Sequence, residues 1–369
     1  MIRNSFWENF KKPIIGLAPM DGVTDAVFRT ITHNVSNPDI CFTEFVPVEA
    51  LSRGITKMMP AFITNPHDCP TIAQIFGTEL DSFYQATLLV CELGFVGIDI
   101  NMGCPAASIA SRGAGAGLIL DFDLARKIIA IVRKATIDFF EGLTLEKAGL
   151  HPDIIAFCFH VRESSLELAK RSDEFFQNMR SQIPTPDDPT PLAVSVKTRI
   201  GYDKPVTTEW IQNLLSAHPD NITLHGRTLK QLYRGSSDLD EISRAAEEIK
   251  VFNTSSNHQV TLLGSGDASD RSDAIAKSTH CQTDGWLIGR ASNGNPWIFG
   301  DSHPTKGDQI NIALIHTNLF SQIFPERDFR AMRKHLCWYM RGFEGAGELR
   351  AKLAQVNKLD DVSAILNTD

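Results

Sequence analysis

The sequence Phe95-Val96-Gly97-Ile98-Asp99-Ile100-Asn101-Met102-Gly103-Cys104-Pro105 passes from an apolar segment into a polar turn. The apolar part is typical of a buried β-strand. Gly103 and Pro105 predict a tight turn that fixes the direction of the Cys104 sulfur. Because α/β-barrel enzymes keep reactive groups at the carboxyl ends of their strands, we expect chemistry at Cys104. The alternative is a small buried hydrophobe, which is the commoner use of a free cysteine.

Strand-like runs of this kind recur along the chain, and helical patterns such as those over 81–93 and 121–135 separate most of them. The eight predicted strands are 14–20, 40–46, 71–77, 95–103, 193–200, 221–227, 259–267 and 285–291. Alternating strands and helices require a parallel sheet. Eight repeats fit a closed TIM (β/α)8 barrel of the α/β class better than an open, doubly wound sheet.

The strand pattern ends after residue 300, where Pro304 and Gly307 precede sequence that is helical to the end. We therefore predict a barrel domain over 1–304 and a small all-helical domain over 305–369. A long connection at about 136–190, with a helical pattern over 163–179, is predicted to be an insertion on the barrel.

Composition excludes several classes of protein. The 369 residues are 43% hydrophobic and 22% charged, which is typical of a globular chain. The first residues lack the apolar run of a signal peptide, and no uninterrupted apolar run is long enough to span a bilayer. We expect a soluble, cytoplasmic protein with no membrane contact. The seven cysteines are scattered without the spacing of a zinc site, so we expect reduced thiols and no metal.

Charge is unevenly distributed along the chain. The net charge of −8 argues against a nucleic-acid binder. Residues 327–352, however, contain seven Lys or Arg against three acidic residues, interleaved with aromatic side chains. Such a segment suits a polyanion, although the exterior of a charged helix is the commoner explanation.

Polar side chains lie near the carboxyl ends of most predicted strands, where a barrel has its active site. The residues are Gln74 on strand three, Asp99, Asn101 and Cys104 on strand four, Lys197 and Arg199 on strand five, and His225 and Arg227 on strand six. Strand one ends in Pro19 and Met20, whose backbone is suited to lying under a flat ring. Any one of them could be a satisfied core residue, but together they indicate a site. We assign Arg199 and Arg227 to substrate.

Strands seven and eight end in glycine-rich turns, Gly264-Ser265-Gly266-Asp267 and Gly289-Arg290. Exposed backbone N–H groups and a guanidinium bind phosphate well, and phosphate sites in these barrels follow strands seven and eight. Ordinary glycine turns are the alternative. One phosphate site without a dinucleotide fingerprint favours flavin mononucleotide, FMN.

These motifs resemble those of the tRNA-dihydrouridine synthases. The similar segments are 18–25, 43–44, 74–77, 99–105, 196–199, 225–228 and 288–290, in the family's order, with a leaning toward bacterial subgroup C. The resemblance implies flavin contacts from Pro19, Met20, Gln74, Lys197, His225, Ser265, Gly266, Gly289 and Arg290, and we add their neighbours Asp21 and Asp267. One departure is Ser265, where the family usually has Asn.

The resemblance also implies the reaction. NADPH reduces FMN, hydride passes to C6 of a uracil in tRNA, and Cys104 protonates C5. Asn101 is then expected to hold the flipped base. The helical domain is expected to grip the tRNA backbone, with Arg330 and Arg333 among its contacts.

Two other functions remain open at this point. One is an FMN barrel of the dihydroorotate-dehydrogenase type acting on a free pyrimidine, against which the basic, aromatic C-terminal region argues. The other is a noncatalytic tRNA-binding protein whose flavin serves folding only. We expect a monomer.

Overall fold

The computed structural model describes residues 6–176 and 190–367. Within them eight parallel strands form a closed barrel in sequence order, with the first strand paired to the second and to the eighth. The strands are β1 Ile14–Leu17, β2 Cys41–Pro47, β3 Thr71–Phe76, β4 Gly97–Met102, β5 Ala193–Gly201, β6 Asn221–Thr228, β7 Thr261–Ser265 and β8 Gly285–Ile288. The predicted TIM barrel is confirmed.

Helices surround the barrel and continue beyond it. They are α1 Ala26–Ser36, α2 Val48–Ser52, α3 Leu80–Glu92, α4 Ala107–Ala110, α5 Phe122–Phe140, α6 Pro152–Phe175, α7 Thr207–Leu215, α8 Leu239–Ser255, α9 Arg271–Cys281, α10 Lys306–Ile323, α11 Met332–Tyr339, α12 Ala346–Leu353 and α13 Leu359–Leu366. In the parts of the chain that the structure covers, no helix is long and apolar enough to cross a membrane.

Short polar side chains start several of the helices that follow the strands. Asp25, Asp121, Asp238 and Asp270 each accept a hydrogen bond from a backbone N–H in the first turn of α1, α5, α8 and α9. Thr305 starts α10 with a reciprocal capping box. Each cap satisfies an otherwise unpaired donor and so fixes where a loop at the barrel mouth gives way to a helix.

The two ends of the barrel differ in polarity. A buried apolar cluster closes the amino end of the strands, with Trp7 and Phe10 from the N-terminal segment packed against Ile14, Phe42 and Leu287. The buried arginines Arg199 and Arg227 lie nearer the carboxyl ends of their strands. The apolar plug supplies core stability, which leaves the carboxyl end available for chemistry.

The connection between β4 and β5 differs from the sequence prediction in detail. Its helix α6 begins at Pro152, eleven residues before the predicted start, and packs against the 3-10 helix Thr56–Phe62 and against α10. His151 accepts from the Asp153 backbone N–H and caps this start. The end of the predicted helix, 177–179, lies outside the described residues.

The C-terminal helices are joined to the barrel by charged groups as well as by apolar packing. Arg327 lies 3.6 Å from Asp25 Oδ2 and 3.9 Å from Glu44 Oε2, and its guanidinium stacks on Phe324. Lys334 donates to the Gly22 carbonyl oxygen. These contacts place α10 and α11 beside the loop that follows β1.

Candidate functional site at the barrel mouth

Most of the predicted site residues lie on strands or turns at the carboxyl end of the barrel, and contacts join several of them. Arg199 Nε donates to the Gly103 carbonyl at 2.8 Å. Around the rim, Arg290 Nη2 lies 3.0 Å from Asp267 Oδ1. Clefts of about 570 and 620 Å³ at the other end of the barrel have none of the predicted site residues in their lining. The sequence motifs therefore converge on one mouth.

The turn after β4 holds Cys104 in a defined position. Asn101 Oδ1 accepts from the backbone N–H groups of Gly103 at 3.0 Å and Cys104 at 2.8 Å. A Cβ at Gly103 would lie 3.3 Å from the Lys197 carbonyl oxygen, so glycine lets the turn pack tightly on β5. Burial raises the pKa of the Cys104 thiol, and nearby Asp21 raises it further. The sulfur is therefore protonated at neutral pH and can donate a proton.

Gln74 and Asn101 are joined to Asp99, a polar residue of strand four to which the sequence analysis gave no role. Gln74 Nε2 donates to Asp99 Oδ2 at 2.6 Å, and Asn101 Nδ2 donates to Gln74 Oε1 at 2.9 Å. Asp99 is fully buried, and burial raises its pKa to about 7. The signal in the sequence was its place two residues before Asn101, on the same face of β4.

Cations gather in the barrel opposite the β4 turn. Lys197 is the Cα partner of Asn101 in the neighbouring strand, and burial together with Arg199 lowers its pKa to about 8. His225 is the partner of Arg199, and burial and the surrounding cations hold its pKa well below the usual value. At neutral pH His225 is therefore neutral, and Lys197 is a cation that loses its proton readily.

Arg199 and Arg227 were both assigned to substrate, and both are almost fully buried. Arg199 donates to the carbonyl oxygens of Gly103 and Thr228. Arg227 forms an ion pair with Asp267 and donates to the Gly235 carbonyl oxygen at 2.6 Å. In the structure these guanidinium groups connect the loops of the barrel mouth.

The turn after β7 forms a narrow cradle. Gly266 has φ +122°, and a Cβ there would lie 2.6 Å from Ser237 Oγ and 2.9 Å from His225 Cδ2, so only glycine fits. The Ser237 hydroxyl is buried and finds no hydrogen-bond partner among residues 6–176 and 190–367. A buried donor beside exposed backbone suits an anion.

The cradle continues onto the turn after β8. A Cβ at Gly289 would lie 3.7 Å from Ala18 Cβ and Met20 Sδ, which brings this turn against the loop after β1. Arg290 is exposed, and its guanidinium lies 4.6 Å from the ring centroid of Tyr233. An anion-binding cradle at one edge and apolar Met20 at the other fit a flat cofactor that carries one phosphate.

Ser265 and Asp21 complete the predicted cofactor set. Ser265 ends β7, is buried, and is the Cα partner of His225. Asp21 is exposed in the loop after β1. In the described part of the chain, no cluster of His, Cys, Asp or Glu has the makings of a metal site.

The two arginines predicted to bind RNA backbone are partly engaged by the protein itself. Arg330 is exposed and paired with Asp328. Arg333 Nε donates to the Val356 carbonyl at 2.8 Å and Nη2 donates to Asn357 Oδ1 at 2.8 Å, which fixes the turn between α12 and α13. Arg333 therefore stabilises the helical region in addition to carrying charge.

Together these features define a class: a TIM barrel whose mouth combines a fixed thiol, buried cations and a glycine-lined turn suited to an anion. Comparison with known proteins narrows the class. The chain belongs to the dihydrouridine synthase family, whose model matches residues 16–138 and 177–369. The family expected from the sequence is confirmed, and the leaning toward subgroup C stays a prediction. The unmatched internal segment, 139–176, contains all of α6.

Similar proteins extend over nearly the whole chain. A protein of Staphylococcus aureus (strain N315) named "Probable tRNA-dihydrouridine synthase" is 28% identical over 374 residues, covering 99% of this chain and 96% of its own. The "Probable tRNA-dihydrouridine synthase 2" of Bacillus subtilis (strain 168) is 28% identical, covering 98% and 96%. A crystal structure of DHODH in complex with ferulenol from Eimeria tenella covers 81% of each chain at 11% identity, with a TM-score of 0.47.

Proposed function

We propose that this chain is a tRNA-dihydrouridine synthase, which reduces the C5=C6 bond of a uridine in tRNA with NADPH as reductant and FMN as cofactor. The observation that carries the proposal is the position of the Cys104 thiol, in a turn fixed by Asn101 at the mouth of a barrel that also has a glycine-lined cradle suited to an anion. Membership of the dihydrouridine synthase family and the names of the relatives support it.

Different residues of the chain would bind the phosphate and the ring of the cofactor. The backbone of Gly266 and Gly289, with Arg290, would bind the phosphate. Pro19 and Met20 would lie against the ring, and Lys197 would donate to an anionic or carbonyl edge of it. When bound, reduced FMN supplies the hydride.

The reduction also needs a proton at C5 of the uracil, and the β4 turn is placed to give it. Cys104 carries a proton at neutral pH because burial disfavours its thiolate. Asn101 uses its oxygen for the turn and one amide N–H for Gln74, so its second amide N–H is left to meet a uracil carbonyl. A donor at a carbonyl stabilises the charge that develops there during hydride transfer.

The helical region would bind the tRNA. Its basic residues lie on α10 to α12 and in the connections between the helices, and Lys334 and Arg327 join that region to the barrel mouth. A flipped uridine could then enter the barrel while the backbone stays on the helices. We assign Arg330 to backbone contact and expect the chain to act as a monomer in the cytoplasm, where tRNA and NADPH occur.

The proposal is tested by reconstituting the protein with FMN, adding NADPH and unmodified tRNA, and measuring the masses of the tRNA nucleosides. A gain of two daltons on uridine supports the function. Reduction of free uracil or orotate, with tRNA unchanged, would replace it with the pyrimidine-reducing alternative.

A further inference from the structure

We propose that Asp99 is a positioning residue for this reaction: through the Gln74 and Asn101 amides, it fixes the backbone turn that aims Cys104. The catalytic role of Asp99 rests on the proposed function. Its effect on the position of the Cys104 thiol does not. The hydrogen bond that Asp99 accepts comes from Gln74, so Asp99 would act on the turn through two intervening side chains.

The first link joins Asp99 to Gln74. The two residues are Cα partners on β3 and β4, so their side chains lie side by side in the barrel. Gln74 Nε2 donates to Asp99 Oδ2 at 2.6 Å. A carboxyl oxygen accepts this bond, so Asp99 determines which end of the amide is the NH2 group.

The second link joins Gln74 to Asn101. With its nitrogen turned to Asp99, Gln74 presents Oε1 to Asn101 and accepts from Nδ2 at 2.9 Å. A flipped Gln74 would set two donors against each other at this contact. Asn101 must therefore turn its own oxygen away from Gln74.

The third link reaches the turn. Asn101 Oδ1 accepts from the backbone N–H groups of Gly103 and Cys104, which would otherwise lack this acceptor. Asp99 at one end of this series of hydrogen bonds and the turn at the other both require the same orientation of the Gln74 and Asn101 amides. Removing Asp99 leaves the Gln74 amide held only by its bond to Asn101, so both amides, and with them the turn, are less firmly fixed.

Burying the Asp99 carboxyl group lowers the stability of the fold, which argues that this group serves a function. It is fully buried, and its second oxygen Oδ1 finds no hydrogen-bond partner within the described ranges. Lys197 is the charged neighbour that favours its ionised form. A buried carboxyl group with one unsatisfied oxygen destabilises a fold, and an apolar side chain of similar size would not.

Two substitutions of Asp99 separate its roles. Asp99→Leu removes the acceptor at similar volume, and Asp99→Asn keeps an oxygen for Gln74. With the FMN-reconstituted protein, we expect Asp99→Leu to lower kcat about tenfold or more while the KM for tRNA stays within about twofold. Asp99→Asn should restore most of kcat, which a role in bulk stability alone does not predict.

A second readout is independent of the reaction. The rate at which iodoacetamide modifies Cys104, followed by mass spectrometry of its peptide, should rise about fivefold in Asp99→Leu because the turn is released. If that variant does not fold, Gln74→Met breaks the same chain and should give the same rise.

Asp68 supplies a matched control. It too is a buried carboxyl group that accepts one side-chain bond of 2.6 Å and has a second oxygen without a partner among the described residues, but it precedes β3. Asp68→Leu should leave Cys104 modification unchanged. Equal modification rates in parent, Asp99→Leu and Gln74→Met would overturn the proposal, as would an equal effect of Asp68→Leu. If the parent forms no dihydrouridine, the proposed function fails, yet the modification rates still decide the role of Asp99.

Discussion

Replacing Asp267 with Asn should destabilise the barrel mouth, because this carboxylate is the counter-charge of two arginines. Its Oδ2 pairs with Arg227 and accepts from the Ser237 backbone N–H at 2.8 Å, while Oδ1 lies 3.0 Å from Arg290. The side chain of Arg227 is only 2% exposed. Asp267 itself has φ +51°, a conformation that Asn tolerates well, so the substitution changes the charge and little else.

The magnitude follows from burial. Leaving a buried charge without its partner costs about 3 to 5 kcal/mol, but Asp267 is 29% exposed and Asn keeps one acceptor. We therefore expect a loss of about 2 to 3 kcal/mol. For a chain of 369 residues this corresponds to a fall in Tm of about 3 to 4 °C.

The assay is a double-mutant cycle in urea with Asp267→Asn, Arg227→Met and both together. Arg227→Met removes the buried charge at similar length, so the double variant should recover at least about 1 kcal/mol of the summed losses. Strict additivity of the two losses would refute the ion pair as their cause. Inorganic phosphate should stabilise Asp267→Asn more than the parent, since the variant has one more net positive charge beside the cradle.

Three further outcomes are expected. Arg327→Ala should lower the free energy of unfolding by about 1 kcal/mol and speed proteolysis between the barrel and the C-terminal helices, because it removes the ion pairs with Asp25 and Glu44. Proteolysis at the parent's rate would contradict this. Burial raises the pKa of Asp68 to about 7, whereas the unfolded chain loses this proton at about pH 4, so stability falls as the pH rises from about 4 to 7 and is constant above that range. Asp68→Asn should gain on the parent by about 2 kcal/mol between pH 5 and 7 in urea titrations, and a constant difference would refute it. Gly264→Ala should prevent soluble expression or lower Tm by several degrees, since its Cβ would lie 2.1 Å from the buried Trp286 ring; an unchanged Tm would contradict this.

The barrel could be predicted because each strand is a short β-rich run bounded by turns or helical sequence, and these are local signals. The turn at Gly103 and the cradle at Gly266 were also predictable, because glycine is needed there to avoid close contacts of a Cβ atom. The start of α6 was missed because Pro152 and its His151 cap are weaker signals than the apolar pattern further along.

Side-chain partners distant in sequence could not be predicted. Arg227 and Asp267 are 40 residues apart, and only the closed barrel brings them together. The sequence suggested that Arg333 is a free cation. In the structure it donates to the Val356 carbonyl and stabilises the loop between α12 and α13. Asp99 was visible as a polar residue in a strand, but its bond to Gln74 depends on the register between β3 and β4.

The most direct test of the central claim compares the parent with Cys104→Ala, each reconstituted with FMN and supplied with NADPH and unmodified tRNA. The masses of the tRNA nucleosides are the readout. The account predicts dihydrouridine from the parent and at least a hundredfold slower formation from the variant, with FMN binding about equal in both. Dihydrouridine formed at the parent's rate by the variant would contradict the role of Cys104, and none from the parent with any tRNA would contradict the function.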